Sequence, residues 1–477
     1  NLSFASSPFS VAMVSLPESL ETTEVNSVTE YVLLEHLLRP LVSYSTEGQI
    51  VGDLAASWEV SDGHKRYIIQ LKENQHFSDG ALITADDVVA TFKRSIKKEQ
   101  TVHFDFEKIK EVKKLSNLRL EIILNKADPF FLIDLDHPEF RILSREDATA
   151  DKKHQTFSKS SGPYRVEKKE NGKISFLKNS HYPKHFGPER FIAIDNEQVL
   201  KNISRDLSVD VLWGSLSASK KDHDHLLKNK YRSHNPRLGF SFFLGINPNR
   251  PQLADLSVRQ YLQNILRLSK NDIPADLYYL EKADQVYLAG GPGRLNQKEV
   301  EAIRTKAAAV KKPDNLPKSL VLLISARFPL EKVLVDKLSK VGIQVVVKKY
   351  KDFSEYAELI KDPSLFDLIQ VNNDFSSLDL RGSLEVTFNE SRPLLLIDKG
   401  EKGLKAQNLL NSISNTLDDK KRFNFIHELG KIVLEEAWVV PLYYYNTLVY
   451  VREGIDLSNL SSIVPDVSIW KMKPSKH

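Results

Sequence analysis

The sequence predicts an α/β protein built from two lobes. Its 477 residues exceed what one hydrophobic core usually organises, since domains generally hold about 100–200 residues. Segments in the first half have mainly the pattern of strands, whereas segments after residue 250 alternate between strands and helices. That alternation is typical of sheets covered by helices, and no internal repeat indicates a solenoid.

In the first half, apolar alternation and turn residues define the elements. We expect strands at 9–16, 65–72, 117–125, 208–214 and 239–247, helices at 30–42 and 128–135, and a hairpin at 161–179 turning at Asn171-Gly172.

The most fully specified element is a helix that starts near Thr84. Asp79-Gly80 marks a turn before it, and Asp87 follows Thr84 at the spacing of a capping box. Apolar residues then recur at helical spacing as far as Ile96, which predicts one buried face.

In the second half, strand and helix patterns follow one another. We expect helices at 255–269, 329–342 and 418–437, with strands at 319–325, 343–350, 364–371 and 438–451. The strand, helix and strand from 319 to 350 form a unit of the kind that builds parallel sheets, with Gly342 at the helix end.

Composition excludes several functional classes. With 41% hydrophobic and 27% charged residues the chain has an ordinary globular balance, and no apolar run reaches the roughly 18 residues of a membrane span. The formal charge of +4 is small and its lysines and arginines are dispersed, which argues against nucleic acid as a partner. The absence of cysteine excludes disulfides, thiol nucleophiles and Cys-based metal sites.

No motif indicates catalysis or a bound metal. His223 and His225 lack a third ligand at diagnostic spacing, and the Gly-rich stretch 289–294 lacks the Lys-Ser/Thr of a phosphate loop. His427-Glu428 is not followed by a second histidine, and no Gly-x-Ser-x-Gly elbow exists. We therefore predict that the protein is not an enzyme and uses no cofactor.

One aspartate lies where α/β proteins tend to place ligand groups. Asp374 follows a predicted strand within "VNNDFSSLD". The local sequence on its own favours an ordinary turn aspartate over a binding residue.

The order of segments resembles a known family, the family 5 extracellular solute-binding proteins, which are the peptide- and nickel-binding subunits of ABC importers. The resemblance rests on six stretches in family order, which together span nearly the whole chain: "GDLAASWEVSDGHKRYIIQLKENQHFSDGALITADDVVATFKRS" (52–95), "SGPYRV" (161–166), "GINPNRPQLADLSVRQYL" (245–262), "LSKVGIQVVV" (338–347), "FDLIQ" (366–370) and "DDKKRFNFIHELGKIVLEEAWVVPLYY" (418–444).

The resemblance implies a two-lobed periplasmic-binding-protein fold of type II, of the kind found in large peptide binders, with an extra subdomain inserted in lobe I. Lobe I is then expected at 1–246 plus 445–477, with the subdomain at about 44–155, and lobe II at 247–444. The helix after Thr84 would belong to the inserted subdomain and serve as scaffold.

The family also implies which residues bind the solute. Asp374 aligns with an aspartate that often receives a peptide's α-amino group, and Asn372 and Asn373 would add polar contacts. Thr22, Thr23 and Glu24 align with the segment that offers backbone hydrogen bonds to an extended ligand. A plain loop leading into the next helix is an equal alternative for residues 22–24.

Two departures from the family pattern alter the expected pocket. Where the family has Gly-Trp-x-x-Asp-x-x-Asp-Pro, this chain has "QVNNDFSSL", with Val371 at the tryptophan and Ser377-Leu378 at the Asp-Pro. The site thereby loses a stacking surface and a second carboxylate. Both changes weaken the expectation of an ordinary peptide ligand.

We predict a monomeric binding protein that captures a short peptide or peptide-like solute between hinged lobes and delivers it to a membrane permease. Alternatives are an oligosaccharide, opine or metal chelate as ligand, or a degenerate paralogue with a signalling role. The chain starts at Asn1 rather than Met, which is consistent with a removed leader or lipobox, or with a shortened chain. We expect a periplasmic or other extracytoplasmic location, with a membrane anchor if the leader carried a lipobox.

Overall fold

The computed structural model describes residues 9–13, 16–25, 27–45, 50–97, 106–150, 157–170, 172–183, 185–195, 199, 209–213, 220–234, 240–287, 291, 293–374, 384, 387–388, 397–445, 448–460 and 467–474. The strands in this part of the chain are β1 Phe9–Met13, β2 Val42–Tyr44, β3 Ile50–Gly52, β4 Ala55–Ser61, β5 Arg66–Leu71, β6 Ile109–Ser116, β7 Arg119–Leu124, β8 Tyr164–Glu170, β9 Lys173–Lys178, β10 Arg190–Asp195, β11 Val211–Trp213, β12 Tyr231–His234, β13 Phe240–Ile246, β14 Leu280–Lys282, β15 Ser319–Ser325, β16 Gln344–Tyr350, β17 Leu368–Asp374, β18 Val439–Tyr445 and β19 Val449–Arg452. The α-helices are α1 Val28–Leu37, α2 Ala85–Lys97, α3 Phe131–Asp134, α4 Arg145–Thr149, α5 Lys220–Lys228, α6 Leu256–Leu266, α7 Gln297–Ala308, α8 Glu331–Ser339, α9 Phe353–Leu359, α10 Glu401–Asn415 and α11 Asp419–Glu435.

The chain divides into two compact units. Unit 1 takes in Asn1–Asn235 and most of the chain after Thr447, whereas unit 2 takes in Pro236–Asn446. Strands and helices are mixed in both units, so the predicted α/β class is confirmed.

Unit 1 contains a seven-stranded sheet in the order β12-β19-β11-β1-β10-β9-β8. β1 is parallel to both of its neighbours, and its five residues are all buried. An apolar core covers this sheet, with side chains from α1 such as Leu33 and Leu37 packed against strand residues such as Val11 and Phe191. The core holds the end of β1 in place, and the first predicted site residues follow that end.

A second sheet within unit 1 has its own core. Its order is β4-β5-β7-β6, and α2 packs on it with Val88 and Phe92 fully buried. The buried residues of this core come from the sequence between Leu41 and Ile142, close to the predicted inserted subdomain at 44–155. The segment therefore buries an apolar cluster of its own, as a subdomain requires.

The helix start at Thr84 is built differently from the predicted capping box. The Asp87 carboxylate accepts from the backbone N–H of Thr84 at 2.9 Å, as predicted for one half of the box. The Thr84 hydroxyl, however, donates to the same carboxylate, while the Asp87 N–H donates to the Thr84 carbonyl. A complete capping box occurs instead at α1, where Ser27 and Glu30 form both bonds.

Unit 2 contains a six-stranded sheet in the order β14-β18-β13-β17-β15-β16, with an apolar core on each face. Neighbouring strand residues alternate between the two cores: Ile369 belongs to one and Leu368 to the other. β15, α8 and β16 form the predicted strand, helix and parallel strand.

The division between the units differs from the predicted one at β13. This strand pairs with β17 and β18 along its whole length, so it belongs to unit 2 and the chain leaves unit 1 before Phe240. The single strand predicted at 438–451 is two strands, β18 in the sheet of unit 2 and β19 in that of unit 1. The hairpin at 161–179 forms as β8 and β9, and its turn residue Asn171 lies outside the described residues.

Candidate functional site

The segment between β1 and α1 carries the predicted site residues of unit 1. Thr22 and Thr23 are buried, with 1% and 7% of their surfaces exposed, whereas Glu24 is exposed. The N–H of Glu24 donates to the carbonyl of Glu21 at 3.2 Å, so residues 21–24 form a turn. The two threonines therefore do not form an exposed loop.

Glu21 organises this turn, although the sequence did not single it out. Its Oε1 accepts from the N–H and the hydroxyl of Thr23 at 3.3 and 3.1 Å, and from the hydroxyl of Thr22 at 3.4 Å. Its Oε2 forms an ion pair with Arg94 of α2, and the side chains are only 3% and 12% exposed. Because 73 positions separate the partners, no local pattern could reveal the pair.

These hydrogen bonds occupy the hydroxyls but leave main-chain acceptors open. Across the described residues, no donor is bonded to the carbonyl oxygen of Thr22 or of Thr23. Buried carbonyl groups usually have a partner, because leaving one unpaired costs free energy. Two main-chain acceptors of this buried turn thus have no partner among the described residues.

The predicted site residues of unit 2 form the end of β17. In the register with β13, Asn373 is opposite Ser241 and Asp374 is opposite Phe240. Asn372 is exposed, and the side chains of Asn373 and Asp374 lie outside what the structure describes. The hydroxyl of Ser241 is buried without a hydrogen-bond partner in the described residues. The backbone thus places residues 372–374 together at one end of the sheet.

A partly buried polar cluster lies one strand away from β13. The Tyr444 hydroxyl donates to Asp284 at 2.8 Å, and Arg294 donates to the same carboxylate oxygen at 2.6 Å. Burial alone would raise the pKa of Asp284, but the Tyr444 hydrogen bond and the Arg294 charge hold it below its usual range. Burial also raises the pKa of Tyr444 to about 12. Both charges are already paired, so this cluster stabilises the sheet and offers no free charge to a solute.

One cavity within unit 2 is too small to be a solute site. It measures about 30 Å³ and is lined by side chains of α6, α7 and β18, among them Gln263, Arg304 and Pro441. Drug-sized ligands occupy pockets of roughly 300–1,000 Å³, whereas one water needs about 10–15 Å³ of such space. This cavity therefore has room for water at most.

The described residues contain no cluster of three or more histidine and carboxylate side chains that could hold a metal ion. His223, considered as a ligand above, lies on α5 and hydrogen-bonds the Tyr450 hydroxyl at 2.7 Å. In the same part of the chain, the helices are all too short or too polar to cross a bilayer.

Comparison with known proteins matches part of the chain to a family model. Residues 49–264 match the model of the bacterial extracellular solute-binding proteins, family 5. The match covers slightly less than half of the chain. A putative binding protein of Haemophilus influenzae is 21% identical over 96% of this chain and 88% of its own length.

Solved structures share the fold over almost the entire chain. The NikA protein of Brucella suis in complex with Fe(III)-EDTA matches 98% of this chain and 99% of its own, with a TM-score of 0.81 and 19% identity. The DppA protein of Helicobacter pylori in complex with the peptide STSA matches 98% of both chains, with a TM-score of 0.74 and 17% identity. The predicted two-lobed binding-protein fold is thereby confirmed.

Proposed function

We propose that this protein is the substrate-binding protein of an ABC importer and captures a short peptide or peptide-like solute outside the cytoplasm. The observation that carries the proposal is the match to the family model, supported by two Escherichia coli relatives, one named a probable D,D-dipeptide-binding periplasmic protein and the other a dipeptide-binding protein. The protein delivers its solute to a membrane permease and performs no covalent chemistry. It acts as a monomer.

Two groups of residues are proposed to bind the solute, and each is described within its own unit. In unit 1, the carbonyl groups of Thr22 and Thr23 accept N–H groups of the solute main chain, and Glu24 is the exposed carboxylate beside them. In unit 2, Asp374 binds the α-ammonium group with Asn372 and Asn373 as neighbours. A buried ammonium requires a counter-charge, because transferring an unpaired charge out of water is costly.

The central experiment is native mass spectrometry of the protein as purified, followed by titration calorimetry with the ligand that it carries and with dialanine, trialanine and tetraalanine. We expect a peptide-sized mass or micromolar binding of at least one alanine peptide. N-acetylation of the same peptide should weaken binding, because it removes the ammonium group that Asp374 is proposed to bind.

The competing functions give different results in the same experiment. If the protein carries a sugar, opine or metal complex and binds none of the three peptides, its solute is that class of molecule and not a peptide. No carried ligand and no binding would favour a degenerate paralogue with an interaction role.

A further inference from the structure

We propose that Glu21 and Arg94 are positioning residues that fix the main chain of Thr22 and Thr23 for ligand binding; this inference rests on the proposed function. The pair joins the turn after β1 to α2, which belongs to the separate core of unit 1. Neither residue needs to touch the solute, since both act through the conformation of the turn.

The burial of the pair argues that its position matters. Carboxylates and guanidinium groups are seldom buried unless they are paired, because removal from water costs several kcal/mol per charge. Here the Glu21 side chain is 3% exposed, and the Nε of Arg94 is buried without a hydrogen-bond partner among the described residues. An arrangement chosen for stability alone would satisfy that N–H or replace the pair by apolar side chains.

The bonds of Glu21 determine what the turn presents. They occupy both threonine hydroxyls and the N–H of Thr23, while the carbonyl of Glu21 occupies the N–H of Glu24. In the described residues, the groups of Thr22 and Thr23 that stay open as acceptors are their carbonyls. A segment that presents main-chain acceptors, with its hydroxyls held by Glu21, selects solutes by main-chain N–H groups and tolerates varied side chains.

The test uses Glu21→Gln and Arg94→Lys in the full chain. A matched control is Glu121→Gln, because Glu121 is also buried in unit 1 and paired with an arginine, Arg66, but lies on β7 away from the turn. Three quantities are measured for each variant: the dissociation constant for the alanine peptide that wild type binds best, the urea unfolding midpoint, and amide hydrogen exchange at Thr23 and Glu24.

We expect Glu21→Gln to weaken peptide binding about tenfold, which corresponds to one or two main-chain hydrogen bonds. Exchange at Thr23 and Glu24 should become faster. Glu121→Gln should lower the urea midpoint about as much as Glu21→Gln does. It should nevertheless leave the peptide affinity within about twofold of the wild-type value, as expected for a change at a distant, independent site. Arg94→Lys keeps the positive charge and should lose less peptide affinity than Glu21→Gln. This variant provides the test of the ion pair if Glu21→Gln fails to fold.

Two results would overturn the inference, and they are distinguishable. If wild type binds an alanine peptide and both pair variants bind it with equal affinity, the pair is merely structural while the proposed function stands. If wild type binds none of the three peptides, the proposed peptide function is wrong, and the inference, which rests on it, is wrong as well.

Discussion

Asp136 is a carboxyl group whose burial makes the stability of unit 1 depend on pH. Burial raises its pKa to about 7, Arg141 and Lys471 oppose the rise, and Glu35 and Asp53 add to it. In the part of the chain that the structure describes, its Oδ1 has no hydrogen-bond partner, and the Arg141 guanidinium is 3.6 Å away. We therefore expect the neutral, isosteric variant Asp136→Asn to be more stable than wild type above neutral pH.

The size of the effect follows from the difference between the folded and unfolded pKa. An unfolded aspartate has a pKa near 3.9, so folding raises the value by about three units, each equivalent to roughly 1.4 kcal/mol. The folded state binds the proton more tightly, so wild-type stability falls as the pH rises from about 4 to about 7 and then levels off. Asparagine has no such dependence, and the variant should be more stable than wild type by about 2–4 kcal/mol at pH 8.

Urea unfolding followed by circular dichroism at pH 4.5 and pH 8 measures this difference. Glu59→Gln is the control, because the Glu59 carboxylate is 72% exposed and its pair with Arg119 should contribute no more than about 1 kcal/mol. Parallel stability curves for Asp136→Asn and wild type across this range would refute the reasoning, as would a variant that is less stable at pH 8.

Three further changes test other parts of the molecule. Asp374→Asn should weaken a free-amine peptide by ~10-fold to ~1,000-fold in calorimetry, because it removes the counter-charge of the ammonium, while ligand-free thermal stability stays nearly unchanged. Asp367→Asn should lower the free energy of unfolding in urea by roughly 3–5 kcal/mol, since Asp367 is buried and accepts from Arg250 Nε at 2.9 Å. Gly430→Ala should cost about 1–3 kcal/mol in the same assay, because its Cβ would lie 2.5 Å from the buried ring of Tyr287.

Each of these has a contradicting result. Equal peptide affinity of wild type and Asp374→Asn would make Asp374 an ordinary strand-end residue. An unchanged urea midpoint for Asp367→Asn would mean that Arg250 finds another acceptor. An unchanged midpoint for Gly430→Ala would mean that the ring of Tyr287 moves aside freely.

Local patterns in the sequence were sufficient for most elements. The turn at Gly80, with φ of +88°, and the carboxylate of Asp87 at the start of α2 are short-range features that one stretch of chain specifies by itself. The strand, helix and strand from β15 to β16 are equally local. The order of six motifs then identified the fold, because that order reflects the whole chain.

The long-range pairings could not be predicted in the same way. An apolar strand such as β13 could pair within either sheet, and only its partners β17 and β18 decide which unit it joins. Likewise, Glu21 is one acidic residue among several in its segment, and its role appears only when Arg94 is folded against it. Local patterns therefore led to predicted site residues after strands, whereas Glu21, whose ion-pair partner is remote in sequence, was not singled out.

The placement of β19 has a consequence for how the protein folds during synthesis. In the sheet of unit 1 this strand lies between β12 and β11, yet in the sequence it follows the long segment Pro236–Asn446 of unit 2. As the ribosome releases the chain from its N-terminus, that segment and the whole six-stranded sheet of unit 2 are made by residue 446, while unit 1 still has a gap inside its sheet. Closing that gap joins residues more than two hundred positions apart, a slow, non-local step. The first unit to be translated is thus the last to be finished, and until then β11 and β12 expose unpaired edges that a chaperone or a neighbouring chain can bind.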